Sequence, residues 1–158
     1  MKTATVKQLK DELTYSSNEE LVNLCLRLSR FKKENKELLT YLLFEQADET
    51  SYIENIKHEI DEQFENINTD SYFYIKKSVR KILRLIKKYS RYSLKKETEI
   101  ELLLYFCKTL KNFKPSITRN VTLTNIYERQ IMFIKKSIAS LHEDLQYDYN
   151  FELENLDD

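Results

Sequence analysis

The chain has no glycine among its 158 residues and a single proline, Pro115. Glycine makes up about 7% of ordinary domains, so its absence is informative. The Asn-Gly and Asp-Gly turns that close tight β-hairpins are missing. So are the glycine-rich loops whose backbone N–H groups approach a phosphate, which argues against the dinucleotide and P-loop folds built on them. Long apolar runs are lacking too. No stretch approaches the roughly 20 residues that span a bilayer, and Met1 to Lys10 has no apolar core of signal-peptide length. There is no excess of one charge, because 26 acidic residues offset 26 basic ones. No global field therefore directs the chain to nucleic acid or membrane. Cysteine is confined to Cys25 and Cys107, each inside an apolar helical pattern and neither in a paired motif. They read as reduced core thiols of a cytoplasmic protein rather than as a disulfide. The three alanines and the wealth of Lys, Asn, Ile, Glu and Tyr are typical of AT-rich coding sequence, so lysine abundance alone argues nothing; a bacterial source is expected.

What the sequence does contain is helical periodicity, and nothing in the body of the chain alternates with period two. It predicts an all-α fold of about six to seven helices, arranged as a right-handed α-α superhelix or a bundle. One domain is expected over 1–145, followed by an acidic-aromatic tail over 146–158. A short first helix is expected from about Thr3 to Leu13, with Val6, Leu9 and Leu13 as its stripe. Ser17-Asn18-Glu19-Glu20 reads as a capping box opening a helix that carries Leu21, Leu24, Cys25, Leu28 and Phe31. A polar break over Lys32 to Lys36 leads to Leu38, Leu39, Tyr41, Leu42, Leu43 and Phe44. That segment is apolar on almost every side, as expected of a helix surrounded by others. Asp48 to Ser51 starts the next helix, with Ile53, Ile56, Ile60, Phe64 and Ile67, and Asn66 to Asp70 is a loop. Tyr72, Ile75, Val79, Ile82, Ile86 and Tyr89 follow, with a break at Ser90 to Ser93. A second densely apolar segment runs from Ile100 to Leu110, closed by Pro115. The last long helix begins near Thr122 and carries Tyr127, Ile131, Ile134, Ile138, Leu141 and Leu145.

Two stretches echo each other. Glu37 to Leu43 (ELLTYLL) parallels Glu101 to Cys107 (ELLLYFC), and each follows a helix containing Leu-Arg-Leu, at Leu26 and at Leu83. Each also precedes a helix with a three-four stripe. The pattern suggests two stacked three-helix units, 17–68 and 71–145, of the kind used in α-solenoids.

Charge is unevenly placed. Lys76, Lys77, Arg80, Lys81, Arg84, Lys87, Lys88 and Arg91 project into a sector of about 140° on a helix, opposite Ile75, Val79, Ile82, Leu83, Ile86 and Tyr89. No acid interrupts the run, which extends to Lys95 and Lys96. Crowded cations of this kind suit an anion, and these eight are the candidate polyanion-binding residues, with Tyr74 and Tyr92 available for stacking. The anion has a candidate inside the chain, since Glu45 to Asp70 holds nine acids against one lysine. Helices joined by a short loop usually pack antiparallel, so a solvated or internally matched face is the plainer expectation.

The tail has seven acids and no base from Glu143 to Asp158. Within it Tyr147, Tyr149, Phe151 and Leu153 alternate with polar residues. Such alternation fits an extended segment with one apolar face, or an acidic-aromatic docking peptide, lying on the domain's own surface near the basic face.

Catalytic signals are absent. His58 shares a helix face with Glu54, Asp61 and Glu62, but a di-metal bundle needs Glu-x-x-His pairs on several helices. Position 55 is Asn, and the other histidine, His142, has Ala139 three residues before it. No catalytic residue, metal or cofactor is assigned. The leading expectation is a non-enzymatic scaffold binding a protein or peptide. Nucleic-acid binding through the 76–96 helix is the alternative, with Arg80, Arg84, Lys87 and Arg91 as phosphate contacts. A homodimer through the Tyr127 to Leu145 stripe is a further candidate.

Overall fold

The structure, a computed structural model, describes residues 1–157. Regular structure among the described residues is entirely helical, with eight α-helices, one π turn and one 3-10 turn. The chain divides into two compact units, Met1–Phe44 and the residues from Glu45 onward.

In the first unit, α1 (Val6–Thr14) is capped by Thr5, with Gln8 returning the bond. The predicted capping box opens α2 (Asn18–Phe31): Ser17 N–H donates to Glu20 Oε2 at 2.7 Å, and Glu20 N–H donates to Ser17 Oγ at 3.2 Å. The polar break expected over Lys32 to Lys36 shrinks to Lys32, whose extended backbone joins α2 to α3 (Lys33–Thr40). Asn35 secures this junction by donating from Nδ2 to the Leu28 carbonyl at 2.8 Å, which lets the helix restart at once. A π turn, Tyr41–Glu45, follows. Tyr41 is the one buried residue among the described residues of this unit.

The second unit comprises α4 (Glu49–Glu65), α5 (Tyr72–Ser93), α6 (Lys96–Asn112), the 3-10 turn Ile117–Arg119, α7 (Val121–Ile138) and α8 (Glu143–Asp157). Helix α6 is central, packing on α4, α5, α7 and α8, which is why its run from Ile100 to Leu110 is densely apolar. Ile100, Leu102, Leu103, Phe106, Cys107 and Leu110 are fully buried. The stripe Ile53, Ile56, Ile60 and Phe64 of α4, and Ile75, Val79, Ile82 and Ile86 of α5, complete the core. Polar ties fix the register. Tyr52 Oη donates to the Tyr89 carbonyl at 2.9 Å, and Lys57 Nζ pairs with Glu101 at 2.8 Å. Glu49 accepts from Ser93 Oγ, and from Thr98 Oγ1 at 2.6 Å.

Four expectations need correction. Helix α5 does not break at Ser90 to Ser93; Ser90 Oγ donates back to the Ile86 carbonyl at 2.9 Å and both serines are buried. The stop comes at Leu94, in the left-handed region at φ 59°. The last long helix ends at Ile138 rather than continuing through Leu145, because a turn over 139–142 intervenes. Gln146 Nε2 holds that turn by donating to the Leu141 carbonyl at 2.7 Å.

The tail is helical, not extended. Its apolar residues also recur at helical spacing, so Tyr149, Leu153 and Leu156 turn inward while Tyr147 and Phe151 are 76% and 60% exposed. It lies against α6 and α7. Finally, Leu38, Leu42, Leu43 and Phe44 are exposed, so this segment is not the buried helix its composition suggested. Its echo, Leu102 to Cys107, is buried, and the boundary between compact units falls at Phe44, inside the 17–68 block.

Candidate interaction surfaces

The first unit carries the largest apolar exposure. Its stripes have the spacing of core-facing helices, with Val6, Leu9 and Leu13 on α1, yet none of α1, α2 and α3 contains a buried residue. Val6, Leu9, Leu13 and Leu21 line an apolar groove of about 480 Å³ together with Lys10 and Thr14. On α2, Leu28 and Phe31 are 60% and 79% exposed. Cys25, expected in a core, is exposed among them, because the face it shares is not covered by this unit. Exposed apolar patches beyond a few hundred Å² mark interaction sites in soluble proteins.

The second surface is the outer face of α5. The sequence-predicted cations lie together there. Lys77, Arg80, Lys81, Arg84, Lys87 and Arg91 are exposed, and Lys76 and Lys88 are half-buried. The opposite stripe is in the core, as its periodicity required. Lys88 Nζ sits 5.0 Å from the Tyr89 ring centroid. The six exposed cations make no ion pair or side-chain hydrogen bond among the described residues. None of the acids of α4, expected to neutralise this face, pairs with these six cations among the described residues. Glu54 pairs with Lys57, Glu49 with Lys95, and Asp61 accepts from Tyr105. Like charges three and four residues apart then repel, by a few tenths of a kcal/mol per pair.

A third feature is a groove of about 590 Å³ between α4, α6 and α8, lined by Lys57, Glu101, Tyr105, Lys108 and Glu152 among others. Lys57 and Glu101 pair within it at 2.8 Å. Burial, the Asp61 carboxylate and its charge push the Tyr105 phenol up to about 12. Burial first, then Glu101, raises Glu152 above the usual carboxylate range. Burial with the acids Glu101 and Glu97 raises Tyr149 to about 12. Lys57 is raised by Glu101 and Glu54 against the effect of its own burial. The two raised phenols and Lys57 keep their protons at neutral pH.

His58, placed by sequence beside Glu54, Asp61 and Glu62, gathers no site, since Glu54 and Asp61 serve Lys57 and Tyr105. No group of three or more His, Cys, Asp or Glu among the described residues is placed to hold a metal. Burial raises the Cys107 thiol to about 12, which leaves it without nucleophilic thiolate. The tail residues Tyr147, Tyr149, Phe151 and Leu153 do not share a face, so only Tyr147 and Phe151 remain outward for a partner. The regular stripe of α7 faces the unit's own core at Leu123, Ile131, Ile134 and Ile138. No helix among the described residues is long and apolar enough to cross a membrane.

No protein-family model, no curated protein and no solved structure matches this chain.

Proposed function

We propose that the chain is a non-enzymatic interaction protein whose first 44 residues dock a protein partner carrying an apolar helix face. One observation carries this reading. Helices α1, α2 and α3 have well-formed apolar stripes and no buried side chain of their own. Burying a Leu or Phe is worth roughly 1.5–3 kcal/mol, so covering Leu9, Leu13, Leu28 and Phe31 would release an amount comparable with the whole stability of a small domain. The groove between Val6, Leu9, Leu13 and Leu21 is of the kind that takes an amphipathic helix through anchors at i, i+3, i+4 and i+7. The raised phenols and the saturated carboxylates of the other unit support a non-catalytic role.

The stacked-repeat form of such a module rests on the echo between Glu37–Leu43 and Glu101–Cys107. Their unlike burial counts against it, and the proposal does not depend on it. A cytoplasmic setting suits two cysteines without a disulfide.

The test is affinity purification from native cells after nuclease treatment, with wild type and the Leu28→Glu/Phe31→Glu variant side by side. The proposal expects a discrete protein partner with wild type and its loss with the variant, while circular dichroism of the two proteins stays alike. Equal recovery by both would overturn it. Sedimentation of the purified chain shows whether that partner is a second copy.

A further inference from the structure

The outer face of α5 is not used by the proposal above, and its chemistry points to a different kind of ligand. From Lys77 to Arg91 the exposed positions hold Lys77, Arg80, Lys81, Arg84, Lys87 and Arg91, all within a sector of roughly 120° at 100° per residue. The cations recur every three or four residues, so each helical turn of about 5.4 Å presents one or two. None of these six cations pairs with an acid among the described residues.

The same stripe is headed by an aromatic residue. Phe73 lies one turn before Lys77 and projects at the angle of Arg91, near the centre of the basic sector. It is 67% exposed, with Tyr74 edge-on to it at 5.5 Å. Two exposed rings at the end of a cationic row form a stacking platform joined to a phosphate track, the combination used for unpaired nucleic acid. Duplex DNA would make no use of the rings. A membrane-surface helix inserts its apolar face, whereas here Ile75, Val79, Ile82 and Ile86 are locked in the core. An acidic peptide would be met by charge alone, leaving Phe73 idle.

From Phe73 and the six exposed cations of α5, we infer that this face binds single-stranded nucleic acid, stacking a base on Phe73 and tracking the backbone with Lys and Arg. Binding is independent of sequence, because the phosphates and the π-face of a base are common to every nucleotide. RNA and DNA share this chemistry.

Fluorescence anisotropy on the full chain, with labelled oligo-dT and oligo-U of about 20 nucleotides and a duplex of equal length, tests it. With about six phosphates contacted, the log–log salt slope on single strands should be about −4, at roughly −0.7 per phosphate. Phe73→Ala should weaken single-strand binding about tenfold and leave the slope unchanged, as loss of one stacked base implies. Arg80→Glu/Arg84→Glu should abolish binding at 150 mM salt. Lys135→Glu/Lys136→Glu on α7, with the same change in net charge, should leave it within about twofold. The paired variants should keep their circular dichroism, since all four residues are exposed. Stronger binding to nucleic acid by RNA than DNA, or the reverse, names the source. Equal binding to the duplex with Phe73→Ala silent would overturn the inference. So would preference for phosphatidylserine vesicles over oligonucleotide, equal loss in the two paired variants, or no binding at 100 mM salt. Leu28→Glu/Phe31→Glu should bind oligonucleotide as wild type does, which separates this result from the protein-partner test.

Discussion

Tyr105 donates its hydroxyl to the Asp61 carboxylate, with the two oxygens 2.8 and 2.7 Å away, and so ties α6 to α4 through the part-buried edge of the core. A hydrogen bond to a charged acceptor contributes about 1.5–3 kcal/mol, and solvent at this edge lowers that. Tyr105→Phe should cost about 1 kcal/mol and reduce Tm by several degrees in a calorimetric scan. An unchanged Tm would mean the pair is a surface contact only.

The same phenol predicts alkaline behaviour. Tyr105 and Tyr149 are both raised from 10 to about 12 in the folded chain. The folded state therefore holds protons that the unfolded state has already released. Stability is intact below pH 10 and should fall as pH rises from 10 towards 12. Phenolate absorbance near 295 nm should show Tyr105 and Tyr149 ionising late, and denaturation should remove the delay.

Glu152 gives the acidic counterpart. Its carboxyl is raised above 4.5 by burial and by Glu101, so the folded state favours the neutral form. Its contribution to stability is present below pH 4.5 and is lost as pH rises through the raised value. Glu152→Gln should raise Tm at pH 7, and that gain should shrink as the pH is lowered through the raised value and be gone below 4.5. A Tm gain independent of pH would assign the effect to something other than charge.

Leu94 occupies the left-handed region at φ 59° with its side chain exposed. A chain with no glycine has no unstrained residue for such a helix end. Leu94→Gly should stabilise by about 1 kcal/mol, the cost of a β-carbon in this conformation. Chemical denaturation reads it, and a loss of stability would show that Leu94 is held by packing.

The tail separates two pictures of the same sequence. Leu153 is 5% exposed, so Leu153→Ala should cost about 2 kcal/mol, whereas Tyr147→Ser and Phe151→Ser should each change stability by under about 0.5 kcal/mol. Three equal effects would restore the extended segment with one apolar face.

The parts that were legible from sequence are those set by local chemistry. The Ser17 and Asp48 caps, the stripes of α4 and α5 and the densely apolar run Ile100 to Leu110 of α6 each follow from spacing alone. The tail was misread because Tyr147, Tyr149, Phe151 and Leu153 satisfy period two while Tyr149, Leu153 and Leu156 satisfy period 3.6, and the run is too short to choose. The segment Leu38 to Phe44 was misread for another reason. Hydropathy says that a face wants cover, but not whether the cover belongs to the same chain. For the basic face, the cations could be placed from sequence, but not the acids: only the fold shows Glu54 and Asp61 turned towards Lys57 and Tyr105.

The central claim is that the helices of the first 44 residues lack a core until a partner supplies one. Helices α1, α2 and α3 have 9, 14 and 8 residues, at or below the length that is marginal without packing. Native-state hydrogen exchange on the purified, dilute chain addresses this directly. The account predicts that amides of α2 exchange orders of magnitude faster than those of α6, and become protected when the partner is added. Amides of α2 as slow as those of α6 in the dilute chain alone would contradict it.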